Sequence, residues 1–150
     1  MIKAKTISLL KLCQTGQFGE LHIGSSQTEM IEHLGQPTDW ANTKPNEDRF
    51  CHYGDVQFFF DKQQLWLIHI DWFNGHNNAP RLNEPHQLEP WKIREAASLE
   101  EIQNALHTES LAFQTETNYG STVLKLESGA KIYFQETTQT LDAISLTGEQ

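Results

Sequence analysis

Cysteine is scarce in this chain: only Cys13 and Cys51 occur among its 150 residues. Cys13 lies in an apolar run with helical spacing, and Cys51 lies in a run typical of a strand. Two isolated cysteines suit a reducing compartment better than a secreted, disulfide-stabilised scaffold. Near the N-terminus, Lys11 interrupts the apolar residues, so we expect that they do not form the core of a signal peptide. We therefore predict a cytoplasmic protein.

Positive charge is also scarce. The chain has 11 Lys and Arg residues against 20 Asp and Glu residues, which gives a formal net charge of −9. Nucleic-acid binding depends on clustered cations that contact phosphates, so this balance argues against it. A run of about 18 apolar residues, which a membrane-spanning helix needs, is absent. The acidity either keeps the protein soluble or suits a protein partner with a basic surface. The sequence does not indicate an oligomeric state.

Catalytic signatures are absent as well. The sequence has no Gly-x-Ser-x-Gly, Walker, Gly-x-Gly-x-x-Gly, Cys-x-x-Cys or His-Glu-x-x-His motif. Cys51 and His52 are adjacent, but neighbouring strand residues point to opposite faces, so His52 cannot easily take the thiol proton. His69, Asp71 and His76 are of types that bind metals, but their spacing matches no established site. We predict no catalytic residue, metal or cofactor. The alternative is a small-molecule or metal-binding enzyme that uses the His69/Asp71 face.

One pattern occurs twice in the sequence. Each copy begins with Ser-x-x-Glu, continues as an apolar helical stripe and closes on Leu-x-x-Ile-x-(Ile/Leu). The copies begin at Ser26 and Ser98, and they close at residues 65–70 and 141–146. Ser-x-x-Glu is the capping box that begins a helix. The pattern therefore predicts a duplicated unit in which a helix precedes a sheet.

Size decides how the two units are arranged. Units of roughly 50 to 70 residues bury barely enough surface to offset chain entropy. We therefore predict one domain, residues 1–150, with a shared or continuous sheet. Its repeat-like units cover about residues 1–73 and 91–147, and the linker at 74–90 is rich in proline and asparagine. The fold class is α+β: in each unit, helices pack on one face of an antiparallel sheet of three to four strands.

Periodicity and turn residues predict the individual elements. Helices are predicted at residues 3–15, from Ser26 as far as Gly35, and at 91–106 with an internal break at Ser98. Strands are predicted at residues 49–53, 55–60, 65–73, 109–118, 122–127, 130–135 and 141–146. Residues 40–48 are polar and predict a loop that contains Trp40. A tryptophan in such a loop either anchors the loop to the core or contacts a partner.

Strand alternation separates a core face of the sheet from an open face. The core face is predicted to contain Val56, Phe58 and Phe60, together with Trp66, Ile68, Ile70 and Trp72. The opposite face then carries Phe59, His69, Asp71 and, from the second unit, Tyr133. Two interpretations remain open, a binding surface or an ordinary half-solvated sheet, because single exposed aromatics are common. The candidate binding residues are Phe59, His69, Asp71, Tyr133 and Trp40.

The first unit resembles known proteins. The motif begins with Leu21-x-Ile23-Gly24-x-Ser26-x-x-x-Met30-x-x-x-Leu34-Gly35-x-Pro37 and continues with Tyr53-Gly54-Asp55-Val56-x-Phe58-Phe59-Phe60 and Leu65-x-x-Ile68-x-Ile70. It covers most of residues 21–72 and is similar to small bacterial proteins of the toxin-immunity type. The order of helix, Leu-Gly-x-Pro stop and strands also resembles the repeat of β-lactamase inhibitory protein and of outer-membrane assembly lipoproteins. The resemblance implies a non-enzymatic protein-binding module, an immunity protein or inhibitor, and it transfers no catalytic residue.

Overall fold

The structure, a computed structural model, describes residues 3–42, 49–71 and 79–148. Trp72 and His76 lie outside these ranges. Within them the chain forms both helices and strands, so the predicted α+β class is confirmed. The helices are Leu9–Thr15 (α1), Gln27–Leu34 (α2) and Leu99–Thr108 (α3). The strands are Thr6–Ser8 (β1), Asp39–Asn42 (β2), Arg49–Tyr53 (β3), Val56–Asp61 (β4), Gln64–Ile70 (β5), Gln87–Glu89 (β6), Phe113–Asn118 (β7), Ser121–Leu126 (β8), Ala130–Gln135 (β9) and Leu141–Thr147 (β10).

Eight of these strands form one antiparallel sheet. Its order is β2-β3-β4-β5-β10-β9-β8-β7. The first four and the last four strands each form a meander, and the two meanders meet where β5 pairs with β10. The sheets of three to four strands predicted for the two units are therefore joined into one. From the centre outward the strand order is β5-β4-β3-β2 on one side and β10-β9-β8-β7 on the other, so each strand precedes its inner neighbour in the sequence on both sides.

Serine side chains begin α2 and α3 where the sequence predicts them. At α2 the Ser26 hydroxyl accepts a hydrogen bond from the Glu29 amide, at 3.0 Å, and the Glu29 carboxylate accepts one from the Ser26 amide, at 2.9 Å. This is a complete capping box. At α3 the Ser98 hydroxyl accepts from the Glu101 amide, at 3.0 Å. Local sequence therefore determines both helix starts.

Several boundaries differ from the prediction; β7, for example, begins at Phe113 rather than at residue 109. α3 begins at Leu99 rather than at residue 91, because Trp91 and Ala96 have φ of 59° and 69°, which a right-handed helix cannot contain. Residues 6–8 form β1 instead of the start of a helix, and Trp40 lies in β2 instead of a loop. In both of these cases a paired strand satisfies the backbone, which local periodicity does not reveal.

Part of the predicted linker is folded against the first unit. β6 pairs in parallel with β1 in a separate two-stranded sheet. The Asp55 amide donates to the Arg81 carbonyl, and the Arg81 amide donates to the Asp55 carboxylate, both at 2.8 Å. A Cβ at Gly54, where φ is 65°, would lie 2.5 Å from the Arg81 carbonyl oxygen, so this turn requires glycine. The segment around Arg81 therefore packs on the β3–β4 turn, and the segment that forms β6 packs on β1.

One hydrophobic cluster lies between the helices and the sheet, and it includes residues of both units. The predicted core residues Val56, Phe58, Phe60, Ile68 and Ile70 are all fully buried. The Phe58 ring packs edge-on against the rings of Phe18 and Tyr53, with centroids 5.4 Å away in each case. A shared core of this kind ties the two halves of the sheet together.

The prediction that Trp66 is buried is wrong. Phe60 pairs with Leu65 and Phe59 pairs with Leu67, so Trp66 is an extra residue in β5, a β-bulge. The bulge shifts the alternation of side chains by one position along β5. Leu65 is consequently buried, and Trp66 keeps 44 % of its surface exposed.

Candidate functional site

The face of the sheet opposite the core carries most of the candidate residues. Along β4, β5 and β9 this open face consists of the side chains that alternate with the buried ones. It contains Phe59 on β4, His69 on β5, Asp71 just beyond β5, and Tyr133 on β9. The structure thus places these four predicted residues on one face, and each of them is half-buried.

Four rings on β3, β4 and β5 form an aromatic cluster: Phe50, His52, Phe59 and Trp66. Phe50 and Phe59 are directly opposite on paired strands, and their rings stack with centroids 5.0 Å and planes 16° apart. The His52 ring lies edge-on to Phe50 at 5.5 Å, and the Trp66 ring lies 6.1 Å from that of Phe59. Aromatic pairs at such spacings contribute about 0.5–1.5 kcal/mol each beyond their burial. These contacts hold the cluster in place without a partner.

Three members of the aromatic cluster were missed by the sequence prediction. Phe50 and His52 alternate with the buried Cys51 and Tyr53, so period-two alternation along β3 is the signal that identifies them. For Trp66 the signal is the Leu-x-x-Ile spacing of the closing motif. Two core residues that are three apart in one strand require an extra residue between them.

A polar group lies at the centre of the open face, where the two meanders meet. His69 Nε2 and Asp71 Oδ2 are 3.1 Å apart. Ser145 on β10 is directly opposite His69, but its hydroxyl donates to the Tyr133 hydroxyl oxygen, 3.4 Å away. An imidazole held by a carboxylate can accept a proton. Ser145 is 3 % exposed and hydrogen-bonded to Tyr133, so it does not form a nucleophile–base pair with His69.

Trp40 lies on the core face, away from the other four candidates. It is directly opposite Cys51 in the β2–β3 pair, and Cys51 is buried. The Trp40 ring packs against Phe60, with centroids 6.2 Å apart. Through this contact Trp40 anchors β2 to the core, which is one of the two roles that the sequence left open. A contact between Trp40 and a partner stays a prediction.

Charge is unevenly distributed over the open face. On β2 and β4 this face carries two exposed carboxylates, Asp39 and Asp61. On β8 and β9 it carries Lys125 and Lys131, which are directly opposite each other. Lys125 Nζ also pairs with the Glu116 carboxylate at 3.1 Å. Among these described side chains, the exposed acids of β2 and β4 therefore lie in the half with the aromatic cluster, and the lysines lie in the other half.

The two thiols do not belong to this site. Cys13 and Cys51 are buried and free. Burial raises the pKa of each thiol to about 12. A thiol with such a pKa is protonated at neutral pH and is a poor nucleophile. Cys51 Sγ instead contacts Met30 Sδ in the core, at 3.8 Å.

The described parts of the chain also bear on metal binding, membrane insertion and small-molecule binding. There, no three His, Cys, Asp or Glu side chains are grouped so that they could hold a metal ion. No helix in the same ranges is both long and apolar enough to cross a membrane. Two concavities of about 510 and 500 Å³ adjoin at the start of β7, around Ala112 and Phe113. Neither of them contains His69 or Asp71, the residues of the predicted alternative.

Comparison with protein-family models, with curated proteins and with solved structures finds no match to this chain. The resemblance of residues 21–72 therefore rests on its motifs alone. The geometry of the open face is the basis on which a function can be proposed.

Proposed function

We propose that this protein is a non-enzymatic module that binds another protein through the open face of its sheet. The observation that carries the proposal is the aromatic cluster, whose most exposed ring, Trp66, is 44 % exposed. Aromatic residues are enriched in the centres of protein interfaces and dominate their binding energy. Because ring contacts already order the cluster, binding costs little further side-chain entropy.

The width of the open face suits a protein partner better than a small molecule. Eight paired strands at a spacing of about 4.8 Å give a face roughly 34 Å across. A standard protein interface buries about 800 Å² on each side, whereas small molecules bind in enclosed pockets. Four of the five predicted binding residues, all except Trp40, lie along this face from β4 to β9.

We also propose that residues 26–71 and 98–146 are copies of one structural unit. The support begins with matching backbone contacts at the two helix starts. The Ser25 carbonyl accepts from the Leu65 amide, and the Ala97 carbonyl accepts from the Leu141 amide, both at 2.8 Å. Ser26 and Ser98, the capping residues, each form an isolated bridge with the residue that precedes the closing motif.

Matching bulges support the same proposal. In β10, Leu141 pairs with Phe134 and Ala143 pairs with Tyr133, so Asp142 is an extra residue. The corresponding extra residue in β5 is Trp66, at the same position of the Leu-x-x-Ile motif. This correspondence makes Tyr133 the counterpart of Phe59 and Asp142 the counterpart of Trp66.

Within the class of protein-binding modules, we propose an immunity protein or inhibitor of a bacterial toxin, acting in the cytoplasm. The resemblance of residues 21–72 supports this class, as does a formal net charge of −9. Toxins that act on nucleic acid are often basic, and opposite charges accelerate encounter. Two buried, free thiols suit a reducing compartment. A toxin gene directly beside the gene for this protein would support this proposal.

Photocrosslinking tests the binding face directly. A photoreactive phenylalanine is placed at Phe59 on the open face or, as the control, at Asn104, which is exposed on α3. Each protein is irradiated in the native host. The proposal predicts a crosslinked partner for position 59 that is missing for position 104. The same products at both positions, or none at 59, would overturn it.

Truncation of an aromatic ring measures the energy of the contact. With the crosslinked partner purified, Phe59→Ala is expected to weaken binding by about 2 kcal/mol or more, roughly thirtyfold in Kd. Tyr133→Ala at the corresponding position of the second unit is expected to weaken it as well. If the double variant retains the wild-type affinity and fold, the open face is not the binding surface.

The alternative function is an enzyme that uses His69 and Asp71, and the observation that favours it is their 3.1 Å contact. Metal analysis of the purified protein distinguishes the two functions. A stoichiometric metal that His69→Gln removes would favour the enzyme. Loss of the crosslinked partner in Trp66→Ala, with His69→Gln unaffected, would favour the binding module.

A further inference from the structure

We infer that the aromatic cluster accepts an arginine side chain of the partner, with the guanidinium against the Trp66 ring and paired with the Asp61 carboxylate. The inference rests on the proposed function, because it concerns the same face. It goes further by naming the group that is recognised and the half of the face that recognises it.

The first step is the placement of the carboxylates. Asp61 follows Phe59 by two residues on β4, so both side chains project from the open face about 7 Å apart along the strand. Asp39 on β2 is directly opposite His52, at the other side of the cluster. Neither carboxylate forms an ion pair with a described residue. Two exposed acids that have no ion pair with any described residue thus flank the aromatic rings.

The second step is the geometry of Trp66. As the bulge residue it lies beside the Phe59–Phe60 segment of β4, between the open-face positions of Phe59 and Asp61. Its ring is inclined at 57° to that of Phe59 and is 44 % exposed. Tryptophan attracts cations more strongly than other aromatic rings, and arginine is its most frequent cationic partner. A guanidinium can stack on the ring and still donate hydrogen bonds to a carboxylate, which an ammonium does less well.

The third step is the contrast between the two halves of the face. β4 and β9 have the same length and the same alternation of burial, so Gln135 corresponds to Asp61. Asp142 occupies the bulge position that corresponds to Trp66. Lys125 and Lys131 occupy the positions that correspond to His52 and Gln57 in the first half. Each half thus has an aromatic ring beside an acid, Trp66 with Asp61 and Tyr133 with Asp142, but only the second half also carries two lysines. Because the lysines repel a cation, a cationic partner is oriented toward the first half.

The inference is tested with three labelled peptides of about twelve residues, in which arginine, lysine or citrulline, respectively, alternates with glycine. Citrulline keeps the shape of arginine and removes its charge. Affinity is measured by fluorescence anisotropy at low salt, with folding checked by circular dichroism. We expect the arginine peptide to bind at least about fivefold more tightly than the lysine and citrulline peptides.

Matched variants show where the peptide binds. Trp66→Ala and Asp61→Asn are each expected to weaken arginine-peptide binding by about fivefold. Asp142→Asn removes the same charge as Asp61→Asn, and Tyr119→Ala removes a fully exposed ring at a distant turn. Both controls are expected to leave binding within about twofold of wild type.

Each contrary outcome identifies what fails. Equal losses for Asp61→Asn and Asp142→Asn would mean that any acidic surface attracts the peptide, and the inference would be overturned. Equal binding of the citrulline and arginine peptides, or no binding of either, would overturn it too. If the crosslink at Phe59 nevertheless forms, the proposed function stands without the arginine. If that crosslink is missing, the proposed function itself fails.

Discussion

At the scale of single residues, His86 joins three parts of the chain through one buried ring. Its Nδ1 accepts a hydrogen bond from the Lys5 amide at 3.1 Å, and its Nε2 lies 2.8 Å from the Leu34 carbonyl oxygen. An amide N–H can only donate, so the partners assign the tautomer that carries its proton on Nε2. The ring thereby ties the segment before β6 to β1 and to the end of α2.

His86→Ala is expected to lower the free energy of unfolding by about 2–4 kcal/mol, because it leaves a half-buried donor, the Lys5 amide, and a buried acceptor, the Leu34 carbonyl, unpaired. Urea denaturation measures the change. His86→Gln can restore one of the two hydrogen bonds and is expected to lose less. A loss under about 1 kcal/mol for His86→Ala would show that water replaces the ring without cost.

Phe58 and Phe59 are neighbours in β4 and lie on opposite faces of the sheet. Phe58 is fully buried, and its substitution by alanine is expected to cost about 3–5 kcal/mol of stability. Phe59 is half-buried, so Phe59→Ala is expected to cost about 1 kcal/mol, mainly from lost stacking. Both values come from urea denaturation. The reverse ranking, or a loss below about 1 kcal/mol at Phe58, would mean that the two faces are wrongly assigned.

At the scale of helices and strands, the two helix starts differ in one contact. At α2 the Glu29 carboxylate completes the capping box. At α3 the Glu101 carboxylate instead pairs with Arg94, at 3.0 Å. Hydrogen bonding by the Ser26 amide is the main cause that lowers the pKa of Glu29. A lowered pKa means that this contribution is present above the ordinary carboxyl range and is lost as the pH falls through it.

Ser26→Ala and Ser98→Ala are each expected to cost about 1 kcal/mol, because each removes the acceptor for an amide in the first turn. The acids should behave differently. Glu29→Ala should weaken α2 at pH 7 and have no effect at a pH where Glu29 is protonated, whereas Glu101→Ala should change stability only slightly. Urea denaturation at two pH values measures this. An equal effect of Glu29→Ala at both would contradict the capping role.

Elements that depend on local chemistry could be predicted from the sequence, and those that depend on distant pairing could not. Ser-x-x-Glu determines the start of α2 within four residues, and the alternation in β4 separates Phe58 from Phe59. The β1–β6 pair joins segments about 80 residues apart, so neither sequence contains its partner's signal. The same distinction applies to the site. Phe59, His69 and Tyr133 follow from the local alternation of side chains, whereas the position of Trp66 depends on a bulge in the pairing of β5 with β4.

At the scale of the whole molecule, one sheet and one core join the two halves. β5 pairs with β10 at the centre, and the end of α1 packs on the β8–β9 turn. A Cβ at Gly16 would lie 2.6 Å from the Ser128 carbonyl oxygen, which measures how closely these segments approach. Among the described residues, both halves contribute to a single hydrophobic core.

The protein is therefore expected to unfold in one cooperative transition. All four tryptophans lie between residues 40 and 91, so their fluorescence reports the first half and the connection, whereas circular dichroism reports both halves. The two urea midpoints should coincide, and a fragment of residues 1–78 should not fold alone. Separate midpoints, or a cooperatively folding fragment, would mean that the halves are independent.

The central position of β5 also has a consequence for synthesis on the ribosome. Its hydrogen-bonding edge is covered by β10, which ends at Thr147. Until the ribosome has released that segment, the β5 segment of the nascent chain, with Ile68 and Ile70, lacks its β10 pairing partner, and unpaired apolar segments recruit other chains. The order of translation thus makes a premature stop anywhere before β10 a source of aggregation rather than of a smaller functional protein.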